Sequence, residues 1–511
     1  MDALVMNIPP RPPESISRRH LARIGTAAIG SVAAVGAAPP LATARPAAGP
    51  EHSDAGAIDL LRRMRVPPGP TSAGGPVWSA LATGFAGVRT EDLPLGAVGG
   101  LGGTVVEVRD AEELSAALAL DGPTVVLVHG TIVLPFGSML EVGSRTSVLG
   151  VGRGAEIVGG GLRLLQVSDV VLRNITFRDS FIGGDWDGKS EENDNDGIRV
   201  DTSDHVWIDH CEFVRLGDGQ VDIRKDSTHV TVSWSILRDH NKTLGVGWTD
   251  NVLTTLTLHH LWFSNTHQRN GSIDNTALCH VYNCLLDGSS SYGMASRGAA
   301  QLLVEHSVFA SVRNPIGVSD PESRVAQNGN LRDGTWGSWE DTGVDVDPAD
   351  HYSYDLDPVE DVRSLLARHA GPHARGEWTA RQIHVSQDGS GDVRSVHAAV
   401  GAASRSPHPV EVIVHPGVYR EVVTIWPRLE GLVIRGASGD PADVVLSYDK
   451  PAQDWATVTV LTSGVTLSAL TLEAALEDGR PAYPLRSIDD SLVLSDVVLL
   501  GGPHGISDPR S

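Results

Sequence analysis

The chain has 511 residues, a formal net charge of −23 and a sequence pI near 5.2. That balance argues against nucleic acid and anionic membrane as partners, and a polyanionic substrate would need cations built into its site. The 56 glycines and an aromatic share of only 5% suit short strands and many turns, and the length predicts two or more units.

The first element is a targeting segment. SISRRHLARIGTAAIGSVAAVGAAPPLATA places the Arg18–Arg19 pair before a mildly apolar Ala/Gly run, then Ala42-Thr43-Ala44 as a small-residue cleavage site. This predicts a twin-arginine signal peptide over 1–44, a linker over 45–78 and a secreted protein. The run is too short and too weakly apolar to span a bilayer, and Pro39 and Pro40 interrupt it. Three cysteines occur, Cys211, Cys279 and Cys284, and all three are expected to be free, buried thiols. Cys279 and Cys284 lie five apart in what reads as continuous strand, which predicts opposite faces.

An internal repeat occupies the middle of the chain. LRNITF (172–177), IDHCEF (208–213), VSWSIL (232–237), LHHLWF (258–263), VYNCLL (281–286) and VEHSVF (304–309) share one shape: apolar first, amide, imidazole or indole third, apolar last. Their starts are 36, 24, 26, 23 and 23 residues apart, separated by turn residues with no helical period between them. Several short strands per repeat, each unable to bury its own inner face, predict a parallel β-helix whose coils stack at about 4.8 Å. Asn174, His210, Trp234, His260, Asn283 and His306 then form one structural column at the turns.

The acidic stretch EENDNDGIRVDTSDHVWIDH (191–210) acquires a place in this scheme. Asp196 precedes the IDHCEF strand by 12 residues, and Asp218 and Asp222 precede VSWSIL by 14 and 10. Asp194 and Asp196 are expected on one strand face, Asp218 and Asp222 on another, so that adjacent coils aim four carboxylates at one patch. Such a cluster calls for a hard cation with oxygen ligands, Ca²⁺ in preference to Mg²⁺. Asp201 and Asp204 read as turn residues. Lys242 and Arg269 fall 10 and 11 residues after the starts of VSWSIL and LHHLWF, which stacks them near each other. Carboxylates beside a Lys and an Arg, on an acidic protein, make a site for an acidic sugar polymer.

These stretches resemble the pectate lyases of the right-handed parallel β-helix type. DGIRVDTSDHVWIDHCEF is similar to that family's VWIDH signature, DGQVDIRKDSTHVTVSWSILRDHNK to its DxxxDI, VTVS and DHxK block, and HHLWFSNTHQR to its approach to the catalytic Arg. AVGGLGGTVVEVRDAEELSAAL and PTVVLVHGTI resemble its opening strands and capping helix, and the likeness covers residues 79–374. The resemblance implies calcium held by Asp194, Asp196, Asp218 and Asp222, a substrate carboxylate bound by Lys242, and proton abstraction by Arg269. The implied reaction is β-elimination in polygalacturonate by a monomeric enzyme. A rival reading is a non-catalytic β-helical pectin-binding protein, and another is a lyase acting on partly methylated pectin.

The chain departs from the family pattern after Arg269. The family has Pro two residues on and a further Arg five residues on, where this chain has Gly271 and Asp274. Asp274 is expected to repel a uronate at that subsite, and Arg297 is the candidate substitute cation. An Asp-rich linker around DTGVDVDPADHYSYDLDP and a short one over 375–380 lead to a second partial β-helical unit over 381–511. There VSQDGSGDVRSVHAAVGAA and VIVHPGVYREVV resemble the opening of a pectin methylesterase. RPAYPL and GPHGIS stand where that family's catalytic Gln and Gln-Asp-Thr belong, so the unit is expected to be a truncated, non-catalytic domain.

Overall fold

The computed structural model describes residues 71–152, 154–372, 381–406, 408–449, 456–474, 483–501 and 505–506. The signal peptide, most of the first linker, the 375–380 linker, half of RPAYPL and most of GPHGIS lie outside the described residues.

Apolar residues at equivalent positions of successive coils build the core of the first unit, a right-handed parallel β-helix. Val170, Val206, Val230, Leu256, Cys279, Leu302 and Val325 pair in register from strand to strand, all fully buried. Among the described residues one face is a ten-stranded sheet, running from Thr104–Val108 to Arg324–Asn328. The other two faces merge into a 15-stranded sheet because Ile236–Gly247 and Trp262–Asp274 bend from one face onto the next. The helix Ala111–Leu118 covers one end with Leu114, Ala117 and Leu118. Asp110 caps it by accepting from the Glu113 N–H, and Glu113 accepts from the Arg109 N–H, so two otherwise unpaired donors are satisfied.

The turn column stands as the repeat predicts. Asn174, His210, Trp234, His260, Asn283 and His306 all have φ between +42° and +61°. That left-handed region suits Asn and strains bulkier residues. Ring stacking offsets the strain: Trp78 lies 3.5 Å over His210, and Trp234 lies 4.0 Å over His260.

Two expectations need correction. Cys279 and Cys284 both enter the core, because the strand ends at Tyr282 and the left-handed Asn283 re-aims the next side chain. The thiols are free, as expected. The Asp-rich stretch is not a loose linker. Asp357 bonds His260 at 2.9 Å, Tyr354 donates to Glu305 at 2.8 Å, and the Tyr352 hydroxyl bonds both His280 and Thr257. It straps the polar column, supplying partners that a bare ladder of buried rings would lack.

The C-terminal unit has its own core between a seven-stranded and a four-stranded parallel sheet among the described residues. Its helix Val396–Ser404 is almost wholly buried. Ser395 accepts from the Ala398 N–H, and Glu421 accepts from the Val396 and His397 N–H groups. Burial pushes the Glu421 carboxyl up to about 7 against those donors. The helix docks on the first unit through Arg405, which bonds Asp239 at 2.6 Å beside Arg238 at the same distance. Burial alone would raise the Asp239 carboxyl, but the two guanidinium groups hold it below the ordinary carboxylate range. Asp239→Ala leaves two cations facing each other in a buried seam, and a loss of about 3–5 kcal/mol is expected. Equilibrium denaturation of the full chain checks this, and a loss below about 1 kcal/mol would contradict it.

Candidate active site

Four strands carry the site on one outer face of the β-helix: Ile198–Asp201, Gly219–Arg224, Ile236–Gly247 and Trp262–Asp274. Alternation sends Val221, Ile223, Leu244 and Ile273 into the core and leaves Asp222, Gly245 and Ser272 in one row on the outside.

Three of the four predicted carboxylates converge. Asp196 precedes its strand, and Oδ1 accepts the Gly219 N–H at 2.7 Å. A Cβ on Gly219 would lie 2.7 Å from Asp222 Oδ1 and 2.9 Å from Asp196 Oδ1, so the two oxygens flank a cradle only glycine leaves open. Burial drives the Asp222 carboxyl well above its usual range, and Asp196 and Asp218 drive it further. Burial and Asp218 likewise raise Asp196 against the pull of Arg199. Asp194 differs from expectation. It follows a short 3-10 turn, Glu191–Asn193, instead of sharing a strand face with Asp196, and its side chain is 64% exposed.

The cations are adjacent. The Lys242 ammonium contacts Asp218 directly and is 6% exposed. Burial depresses it most; Asp218 opposes that shift and Arg269 adds to it. Arg269 acts on both Lys242 and Asp222, and its guanidinium lies 5.9 Å from the Trp248 ring. Its backbone is left-handed at φ +60°, and the Thr243 hydroxyl donates to its carbonyl at 2.7 Å. The register slips just beyond, where Leu244 pairs Asn270 and Gly245 pairs Ser272, leaving Gly271 as a bulge at φ +121°. Proline is confined near φ −65°, so this bulge could not carry the family's Pro. The departure at 271 is a different local backbone, not a simple exchange of side chains.

Asp274 and Arg297 pair in register on neighbouring strands. Each is therefore set beside the other's charge, which tempers the expected repulsion of a uronate by Asp274. Arg297→Ala should raise KM for polygalacturonate at low salt by roughly fivefold, about 1 kcal/mol, as for one exposed ion pair. An unchanged KM would place Arg297 outside the groove.

Sequence reasoning missed two residues here. Arg199 stands in register beside Asp222, and its Nε donates to Asp196 at 2.5 Å and its Nη2 to Asp194 at 2.8 Å. Its place in a strand, on the face opposite Ile198 and Val200, was a readable signal. Trp248 packs over Gly245 next to Arg269 and Arg224, and nothing in the sequence marked it. Asp201, read as a turn residue, is a buried partner of Arg224 at 2.8 Å.

Do these residues fit calcium? Asp196 and Asp222 are buried oxygen donors whose mutual repulsion a divalent cation would relieve, and they flank an open cradle. With Asp218 they fit it. A different trio has metal-like spacing, Asp204, His205 and His229. There His205 Nε2 bonds the Val88 carbonyl while its Nδ1 bonds Asp204 at 2.6 Å. Both contacts need a proton, so an imidazolium fills the place a metal would take.

Residues 72–374 match the family described as pectate lyase. The chain is 36% identical over 353 residues to the pectate trisaccharide-lyase of Thermotoga maritima, covering 60% of this chain and 91% of that protein. It is 28% identical over 296 residues to the pectate trisaccharide-lyase of Bacillus licheniformis, covering 54% and 83%. Among solved structures, the pectate lyase Bsp165PelA from Bacillus sp. N165, in complex with trigalacturonate, is similar at a TM-score of 0.49 and 25% identity. That likeness covers 57% of this chain and 98% of the other.

Proposed function

This chain belongs to the pectate lyase family and is a polysaccharide lyase; from that premise we propose a secreted, calcium-dependent enzyme that cleaves polygalacturonate by β-elimination. The observation that carries the reading is the juxtaposition of buried Asp196 and Asp222 and half-buried Asp218 with Lys242 and Arg269.

Asp196, Asp218 and Asp222 would hold the metal. Calcium, when bound, supplies positive charge against the uronate carboxylate and so acidifies the neighbouring C5–H. Lys242 binds the same carboxylate as a point charge, with Asp218 fixing its ammonium. Arg269, held with a left-handed backbone at φ +60°, takes the C5 proton. The electron pair of that C–H bond becomes the C4–C5 double bond. The glycosidic C4–O bond breaks, and the departing oxygen takes a proton from water. Arginine is an awkward general base because its guanidinium stays protonated at ordinary pH and then has no lone pair with which to accept a proton.

Secretion is supported by the Arg18–Arg19 pair and by a polymeric substrate that cannot enter a cell. The names of the relatives point to trisaccharide release. The test is ultraviolet absorbance of unsaturated uronate from polygalacturonate, with and without chelator, followed by chromatography of the products. Absorbance that grows and is lost on chelation is expected. Binding without absorbance would favour a non-catalytic pectin-binding protein, and activity on methylated pectin that a chelator does not affect would favour a different lyase.

A further inference from the structure

The C-terminal unit does not hang from the β-helix. It docks on the segments that lead into the active site. Asn265, four residues before Arg269, is fully buried; its amide nitrogen donates to the His397 carbonyl at 3.0 Å, and its amide oxygen accepts from the Trp426 indole at 2.8 Å. Asp239, three residues before Lys242, is bonded by Arg405. A third contact is made to the segment between Phe181 and Asn193, which runs into Asp194 and Asp196. Trp186 from this segment is 3% exposed and packs against Val422 and Tyr448 of the C-terminal unit. Its neighbour Asp187 accepts from Arg420 at 2.9 Å and from the Tyr448 hydroxyl at 3.2 Å.

The far side of the same segment faces the groove. The Trp186 carbonyl accepts from the Asn241 amide at 2.5 Å, and Asn241 immediately precedes Lys242. Asn241 in turn accepts from Gln268, the neighbour of Arg269, at 2.9 Å. A Cβ on Gly188 would lie 2.9 Å from Asp218 Oδ1, so the backbone here abuts the carboxylate that holds Lys242. The next residue, Lys189, is exposed and close enough to Lys242 for the two ammonium groups to repel. Its backbone is fixed by an N–H donated to Asp185 at 3.1 Å.

We propose that the C-terminal unit is a latch on the lyase site: Arg420 and Tyr448, by gripping Asp187, hold the 181–193 segment against the groove, so that Lys189 stands at its rim as a second uronate-binding cation beside Lys242. The proposal rests on the polygalacturonate reading above. Arg420 and Asp187 touch no reacting atom and are positioning residues. Their effect on substrate passes through Lys189, and this makes the mechanism separable from a general loss of stability.

The test uses the full chain. Hydrogen exchange without substrate should show the amides of 185–193 exchanging about tenfold faster in Arg420→Ala, with those of Gly219–Arg224 unchanged. At low salt, Lys189→Ala and Arg420→Ala should each raise KM for polygalacturonate about fivefold with kcat within twofold. The double variant should remain near fivefold, because both changes remove the same cation. Arg420→Lys should recover most of the loss. Tyr448→Phe, which removes one hydroxyl, should shift exchange in the same direction if Arg420→Ala fails to fold. An additive rise near twenty-five-fold, unchanged exchange, or a Lys189→Ala enzyme with wild-type KM would overturn the proposal. A wild-type chain that neither cleaves nor binds polygalacturonate would instead overturn the substrate reading and the role of Lys189, while exchange would still decide the latch.

Discussion

Arg269→Lys is expected to lower kcat on polygalacturonate by about a thousandfold, a barrier increase near 4 kcal/mol, with KM within about threefold of wild type. Charge is conserved, so the contribution of Arg269 to attracting a polyanion survives. What changes is the placement of the accepting nitrogen. The Arg269 backbone is held left-handed between the Thr243 hydroxyl and the bulge at Gly271, and its guanidinium is directed past Trp248 toward Lys242 and Asp222. A Lys on the same backbone ends in a tetrahedral ammonium and cannot present the planar fork at the same reach. Proximity and orientation contribute several kcal/mol to a proton transfer, and a misplacement near 1 Å is enough to forfeit much of it. Steady-state kinetics with product absorbance make the check. A variant within tenfold of wild type would assign the proton to another group.

Asp222→Asn is expected to abolish both activity and calcium-dependent stabilisation while making the metal-free protein more stable. Asp222 is 3% exposed, and burial, Asp196 and Asp218 all raise its carboxyl. An acid whose folded pKa lies above its unfolded value is favoured in the fold when protonated. Metal-free stability therefore falls as pH rises from the unfolded carboxylate range, near 4, through the raised folded value. A neutral amide removes that dependence, so the melting temperature of the metal-free variant should exceed that of metal-free wild type at pH 8 and match it near pH 4. Calcium reverses the sign in the wild type by pairing with the ionised carboxylates. At a hundredfold excess over Kd it adds about 2.7 kcal/mol, an increment that grows with pH and is absent in the variant. Calorimetry with and without chelator, at both pH values, reads each part. A variant that keeps the calcium increment would remove Asp222 from the metal site. Asp196→Ala should lose activity and calcium response in the same way, with the fold intact.

The order of residues along the chain determined the coil. A six-residue shape recurring at about one coil's length can bury its apolar ends only by stacking, and the third position of each repeat had to make the bend between faces. Strand alternation then put Asp222 outside, and the coil offsets brought Lys242 and Arg269 beside it, since position within a repeat is position on a face. Local periodicity carries that information because register in a parallel β-helix is a one-dimensional problem.

Tertiary structure alone decided the rest. Arg199 could be assigned to the outer face, but not to the pair of carboxylates it bridges. Asp194 left the buried cluster because a 3-10 turn, with no periodic signature, precedes it. The backbone at Gly271 depends on a register slip between the strands of two neighbouring coils, which the repeat does not encode, so residue type suggested a missing Pro where the fold has a bulge. The strap through Tyr352, Tyr354 and Asp357 and the grip of Arg420 on Asp187 join residues separated by about 50 to 230 positions, with no repeat to relate them. Contacts of that kind arise from how two cores fit together, and a pattern read along one chain contains no term for the fit.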